Sequence, residues 1–205
     1  MEYQLMEKEE QGLCADLAAR AFADYEYFTV YFPGEKRRLL FLRSMIESEF
    51  RANEGLEEFL TAKEDGRIAA AAILCSPAYR KPSDREYLRA GFLKSMAYGG
   101  FKRVGAWNEM EYEAISPCKA LKDAWYLNML IVDPDQKGKG IGSRMLQEYI
   151  IPHIREQGGK RLCLFTNSEA NRRFYLKNGF TEFDEKHFTH QGKTFGSWSF
   201  RMDLA

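Results

Sequence analysis

The run WYLNMLIVDPDQKGKGIGSRMLQEYI, from Trp125 to Ile150, constrains this chain more than any other stretch. It opens with an apolar segment long enough for a buried strand, breaks at Asp133-Pro134 and crosses a turn rich in lysine and glycine. It then places Ile141, Met145, Leu146, Tyr149 and Ile150 on one helical face, and Pro152 is expected to end or kink that helix. A strand that feeds a helix through glycines makes an anion cradle. Each glycine removes a side chain that would hold a ligand off the backbone, and the free N–H groups of the first helical turn point at the anion with the positive end of the dipole behind them. Two common phosphate sites fail on spacing. A P-loop needs Gly, four residues and Gly-Lys-Ser/Thr, whereas here Lys139 lies between glycines and Ser143 follows one. A dinucleotide fingerprint needs G-x-G-x-x-G, but in Gly138-Lys139-Gly140-Ile141-Gly142 the third glycine comes one residue early, and too little chain follows for a second nucleotide-binding half.

The remaining chain supplies a mixed α/β pattern. Met1 to Lys8 alternates as a first strand, and Leu13, Leu17, Ala18 and Ala21 then keep helical spacing. Phe22 to Pro33 is dense in aromatics and reads as core packing, part of it able to line a substrate pocket. A helix follows with Leu39, Leu42, Ile46 and Phe50 on one stripe, and then a hairpin over Leu56 to Ser76 folds about Asp65-Gly66. Ser83 to Glu86 is a capping box opening a helix with Leu88, Phe92 and Met96, closed by Gly99-Gly100. A further helix over Phe101 to Ile115 is expected to stop at Ser116-Pro117. Arg161 to Thr166 is a strand, Ser168 to Asn178 a helix closed by Gly179, and Phe180 to Thr189 and Lys193 to Met202 a terminal hairpin about Gln191-Gly192. Strands at both ends with helices between predict a mixed, mostly antiparallel twisted sheet flanked by helices.

Composition narrows the function classes. With 205 residues, 45% of them hydrophobic, the chain can bury a proper core, and a single domain spanning 1–205 is expected. Thirty basic and thirty acidic residues cancel, so nothing global steers the protein toward nucleic acid or an anionic membrane, and any phosphate binding must be local. Cys14, Cys75, Cys118 and Cys163 form no C-x-x-C pair and read as buried free thiols in a reducing compartment. The acidic N-terminus lacks an apolar leader core and no run approaches a membrane span, so a cytoplasmic protein is expected. No metal-ligand spacing is present.

The glycine turn, VDPDQKGKGIGSRML, resembles the signature motif of the Gcn5-related N-acetyltransferases (GNAT): Gln or Arg, two residues, Gly, one residue, Gly or Ala. Those places fall at Lys137, Gly140 and Gly142, with Lys137 replacing the usual Gln or Arg. Asn171-Arg172-Arg173-Phe174-Tyr175-Leu176-Lys177-Asn178-Gly179-Phe180 is similar to the family's later block, in which Asn precedes an aromatic-Tyr pair and Gly-Phe ends the helix. Pro77 to Lys122 has no counterpart in the resemblance and reads as a helical insertion at about 77–122.

The resemblance implies an α/β GNAT-like fold and transfer of an acetyl group from acetyl-CoA (coenzyme A) to a primary amine of a small molecule or peptide, by direct attack in a ternary complex. Lys137, Gly138, Lys139, Gly140, Ile141, Gly142 and Ser143 would offer N–H groups to the pyrophosphate, with charge from Lys137, Lys139 and Arg144. Leu130 and Val132, on a strand splayed from its neighbour, would pair with the pantetheine amides, and Asn171 would bond the same arm. Tyr175 would be catalytic as well as cofactor-binding, because a phenol with a pKa of about 10 can donate a proton to a departing thiolate. The base is open: Trp125 to Val132 contains no carboxylate. Glu109, Glu111, Glu113 and Asp123, just upstream, read as solvated charges, and His187 and His190 are more distant candidates. The missing carboxylate supports an alternative, a non-catalytic acyl-CoA-binding or sensor module. A monomer and a homodimer are both compatible with the sequence.

Overall fold

In the computed structural model, which describes residues 1–204, seven strands build one open sheet in the order β1-β2-β3-β4-β5-β7-β6. The strands are β1 (Glu2–Leu5), β2 (Glu58–Glu64), β3 (Arg67–Cys75), β4 (Trp125–Val132), β5 (Arg161–Thr166), β6 (Thr181–His190) and β7 (Lys193–Asp203). Every neighbouring pair is antiparallel except β4 and β5, which run parallel. The helices are α1 (Gln11–Ala21), α2 (Glu26–Tyr31), α3 (Glu35–Ala52), α4 (Asp84–Arg89), α5 (Phe92–Gly99), α6 (Phe101–Lys119), α7 (Ile141–Arg144), α8 (Ile151–Glu156) and α9 (Glu169–Lys177).

Both faces of the sheet are covered, and the central strand shows it residue by residue. On β3, Ala71 and Ile73 join one core with α1, α2, α3 and α6, while Ala70, Ala72 and Leu74 join a second core with α7, α8 and Tyr175 of α9. Successive side chains on a strand point to opposite faces, so a strand buried on both sides reads as a continuous apolar run, as RIAAAAILC does. Both hairpins turn on the expected pairs. Asp65 and Gly66 have φ of 51° and 73°, and Gln191 and Gly192 have 50° and 78°, the left-handed pair that a type I′ turn needs.

Several local expectations are corrected. Leu13 is 64% exposed, and the buried face of α1 is Cys14, Ala15, Leu17 and Ala18. The stripe drawn through Leu88, Phe92 and Met96 belongs to two helices, because Gly91 adopts φ 98° between α4 and α5 and leaves Leu88 exposed. The Ser83–Glu86 capping box forms as expected. α6 continues through Pro117 to Lys119. Proline has no N–H for the Glu113 carbonyl one turn back, and that oxygen instead accepts from Ser116 Oγ and from Lys186 Nζ of β6, both at 2.7 Å. Pro152 does not end its helix either. A π-helical turn, Met145–Ile150, joins α7 to α8 and accommodates the ring and the missing N–H. All four cysteines are free and buried, and no helix among the described residues is long and apolar enough to cross a membrane.

Candidate active site

The site is organised by the seam between β4 and β5. Their ladder holds only Trp125 opposite Leu162 and Tyr126 opposite Cys163, after which the strands part. β4 stays paired to β3 on its other side, with Leu130 opposite Ala72 and Val132 opposite Ala70. Its β5-facing backbone groups from Leu127 onward are therefore free of ladder bonds. The register on the β3 side shifts at Asn128, which is skipped between Leu127 and Met129. A bulge there bends the strand and adds twist, which opens the seam.

The cradle sits on one side of this opening. Lys137 to Gly140 are exposed, and Gly138 and Gly140 hold φ of 85° and 75°, a conformation that side chains resist. A Cβ on either would meet nothing within 4 Å, so the turn presents bare backbone to open space at the start of α7. Gly142 differs. It is buried, and a Cβ there would come within 3.2 Å of Phe174 Cζ, so its bare backbone also lets α9 pack onto α7. Lys139 Nζ donates to Gln136 Oε1 at 2.6 Å, and Arg144 lies 3.6 Å from Glu64, so part of the expected cationic charge is already engaged. Leu130, Val132, Ile141, Phe174 and Tyr175 all belong to the same core, which places the predicted strand, cradle and tyrosine together. These residues fit coenzyme A: the turn offers N–H groups to a diphosphate, and the parted strand offers amide partners to an extended arm.

Tyr175 is buried, its ring 5.4 Å from Phe180 and 5.8 Å from Phe200 between centroids. Burial pushes its phenol well above the usual range, so the group keeps its proton. Tyr25, from the aromatic segment, lies close enough to add to that shift. The Tyr25 hydroxyl joins Thr166 Oγ1 at 2.8 Å and accepts from the Asn167 N–H at 2.9 Å and from Asn171 Nδ2 at 3.5 Å. Asn171 is thus held at the N-terminus of α9 by a residue 146 positions away, while Ser168 caps the helix by accepting from the Asn171 N–H.

A second group of polar residues lies on the side of α3 and α6. Asn128, at the bulge, donates to Glu57 Oε1 at 3.0 Å, and Cys75 Sγ donates to the same oxygen at 3.1 Å. Glu57 is only 6% exposed and its other oxygen, Oε2, has no partner among the described residues. Burial first, and then the nearby charge of Glu49, raise its carboxyl above the ordinary carboxylate range. Glu49 of α3 is raised as well, chiefly by burial, and receives a hydrogen bond from Tyr87 at 3.4 Å. Glu111 of α6 is pushed up to about 7 by burial and by Glu49. The expectation that Glu111 is a solvated helix charge is therefore corrected: α6 turns Glu109 and Glu113 to solvent but Glu111 inward, toward Tyr27. Glu57 and Glu49 were not singled out in the sequence. The one available signal was Asn128, a lone amide in an otherwise apolar or aromatic strand, WYLNMLIV.

The histidines lie elsewhere. His190 stacks on Tyr31 at 4.2 Å, and His187 borders a cavity of about 530 Å³ beside Tyr25, Asn167 and Trp198. No His, Cys, Asp or Glu group among the described residues could hold a metal ion.

Comparison with known proteins bears on the same elements. Residues 100–182 match the family model described as an acetyltransferase (GNAT) domain, a span covering β4, the cradle, β5 and α9. Among solved structures, the ribosomal-protein-S18-alanine N-acetyltransferase of Escherichia coli is 16% identical, with TM-score 0.59, covering 100% of this chain and 94% of that one. The yncA protein of Salmonella typhimurium, solved with its cofactor acetyl-CoA, is 15% identical with TM-score 0.60 over 100% and 94%. A polyamine N-acetyltransferase of Drosophila melanogaster is 15% identical with TM-score 0.61 over 98% and 99%. The first and third of these structures are named for different acceptors, a ribosomal-protein alanine and a polyamine, so the shared fold does not by itself select the amine.

Proposed function

We propose that this chain, whose residues 100–182 match the GNAT acetyltransferase model, is an acetyl-CoA-dependent enzyme that acetylates a primary amine of a small molecule or peptide by direct attack within a ternary complex. The observation that carries this reading is the open β4–β5 seam, with an anion cradle and a protonated tyrosine on one side and a buried, partly unpartnered carboxylate on the other.

Acetyl-CoA supplies the thioester carbonyl. The N–H groups from Lys137 to Ser143 hold the diphosphate, with Lys137 and Lys139 adding charge. The free edge of β4 at Leu130 and Val132, together with Asn171, orients the arm along the seam. Tyr175 Oη keeps the proton that the departing sulfur requires, a role served by a phenol that burial prevents from ionising. The acceptor nitrogen reaches the protein as an ammonium and must lose a proton before it can attack. Glu57 Oε2 takes that proton. A carboxylate of ordinary pKa is too weak a base for an ammonium, and burial beside Glu49 raises the affinity of Glu57 for it. Asn128 and Cys75 hold the other carboxylate oxygen, aligning the base with the bulge.

The test is free-thiol release from acetyl-CoA across a panel of primary amines, with coenzyme A affinity measured in parallel. Thiol release with at least one amine supports the reading. Tight coenzyme A binding with no release from any amine would overturn it in favour of a sensor module.

A further inference from the structure

Resting on the reading of the glycine turn as the diphosphate site, we infer that Arg173 and Lys177 of α9 bind the 3′-phosphate of coenzyme A and let the protein select the cofactor over its 3′-dephospho form. The cofactor's own charges set the requirement. Backbone N–H groups can hold the diphosphate, but the 3′-phosphate is a separate monoester, which carries about −1.5 to −2 charge near neutral pH. A monoester held at a surface calls for side-chain cations, arginine through paired N–H bonds and lysine as a point charge.

Most cations around the cradle are already committed. Arg20 lies 3.3 Å from Asp133 and 3.5 Å from Asp135, Arg144 lies 3.6 Å from Glu64, and Lys139 Nζ donates to Gln136 Oε1. On α9, Arg172 donates to both carboxylate oxygens of Glu182 at 2.8 Å and also meets Glu169 and Glu185. That leaves Lys137 in the turn itself and Arg173 and Lys177 on α9. Lys137 and Lys177 are exposed, with no ion pair or side-chain hydrogen bond among the described residues. The Arg173 side chain is 72% exposed, and its one partner, Glu169, is 3.9 Å away, an exposed pairing that holds it weakly.

The packing of α9 places these two cations beside the cradle. A Cβ on Gly142 would lie 3.2 Å from Phe174 Cζ, and Gln147 Nε2 donates to the Asn178 carbonyl at 3.2 Å. The chain from Phe174 to Asn178 therefore follows the chain from Gly142 to Gln147, side by side. Each residue of a helix advances by about 100°, so Tyr175 and Arg173 project to opposite sides of Phe174. Tyr175 is buried in the core, which puts Arg173 on the outer side, and Lys177 lies on that side one turn later. Residues four apart on a helix are neighbours, close enough for both side chains to meet one phosphate. Together they form the outer lip of the contact between α9 and the helix that leaves the glycine turn. A cation in the last turn also suits the helix dipole, which accounts for Lys177 but not for Arg173 in the middle of α9.

The test is calorimetric titration of the full chain with coenzyme A and with 3′-dephospho-coenzyme A at one fixed ionic strength, because salt screens exposed charges. The unmodified protein is expected to bind coenzyme A at least about tenfold more tightly, the scale of an added charge-assisted contact. In R173Q/K177Q the affinity for coenzyme A is expected to fall to that for the dephospho form, whose own affinity does not change, with the circular dichroism spectrum confirming the fold. K137Q is expected to weaken both ligands by the same factor, because both carry the diphosphate. Equal binding of the two ligands by the unmodified protein, or a preference that survives R173Q/K177Q, overturns the inference. A preference lost in K137Q also overturns it, by moving the 3′-phosphate to the turn. Binding of neither ligand refutes the turn as a diphosphate site and the inference with it. Selective binding of coenzyme A without thiol release from any amine leaves the 3′-phosphate site standing and refutes only acetyl transfer.

Discussion

In the proposed mechanism Tyr175 gives a proton and Glu57 takes one, and one pair of measurements separates the two roles. Tyr175→Phe keeps the ring packed against Phe180 and Phe200 and removes only the proton donor. It is expected to lower kcat by about a hundredfold, the lower range for a general acid, with little change in coenzyme A affinity. Steady-state kinetics beside equilibrium binding checks this, and equal turnover in both proteins would remove Tyr175 from the mechanism. As the proposed base, Glu57 would act only when ionised, and its pKa is raised, so kcat/KM is expected to increase with pH through a limb above the ordinary carboxylate range. In Glu57→Gln that limb disappears. Tyr175 was legible because it stands in a short local block, with Asn171 one helical turn before it. Glu57 was not, because its role depends on Asn128, 71 positions later, and on burial that no local pattern records.

At the level of elements, glycines and one tyrosine determine how helices meet strands. Gly140 holds φ 75°, so Gly140→Ala is expected to cost about 1 kcal/mol in urea unfolding and to weaken coenzyme A binding. Unchanged affinity would argue against the turn as the phosphate site. Tyr25 ties the segment between α1 and α2 to the junction of β5 and α9 by accepting the N–H of Asn167, which is 2% exposed. Tyr25→Phe leaves that N–H unpaired and is expected to cost about 1–3 kcal/mol, read from the same unfolding curves. The strands, hairpins and caps were readable because periodicity and turn chemistry are local. The continuations through Pro117 and Pro152 were not. In the first, distant Lys186 helps satisfy the freed carbonyl, and in the second a π-turn accommodates the ring.

For the molecule as a whole, a buried acid makes stability depend on pH. Glu111 has a folded pKa of about 7 against 4.5 for the free side chain, so between these values the folded chain holds a proton that the unfolded chain has released. Stability therefore falls as pH rises through that window, and the loss is complete above it. Glu111→Gln is expected to flatten this dependence and to melt higher than the unmodified protein at pH above about 7, a difference that vanishes near pH 4. Melting curves across that range check the sign. The amino-acid sequence by itself determined the alternation of strands and helices, the glycine cradle and the Asn171–Phe180 block, because each depends on residues within a few turns of one another. Only the tertiary structure decided which carboxylates are buried near the seam. The strand beside the cradle carries no acid; Glu57, the residue before β2, meets it through Asn128 at the bulge, and Glu49 and Glu111 come from α3 and α6. Their raised pKa values arise first from burial and, for Glu57 and Glu111, from the charge of Glu49, which act only once those segments are packed.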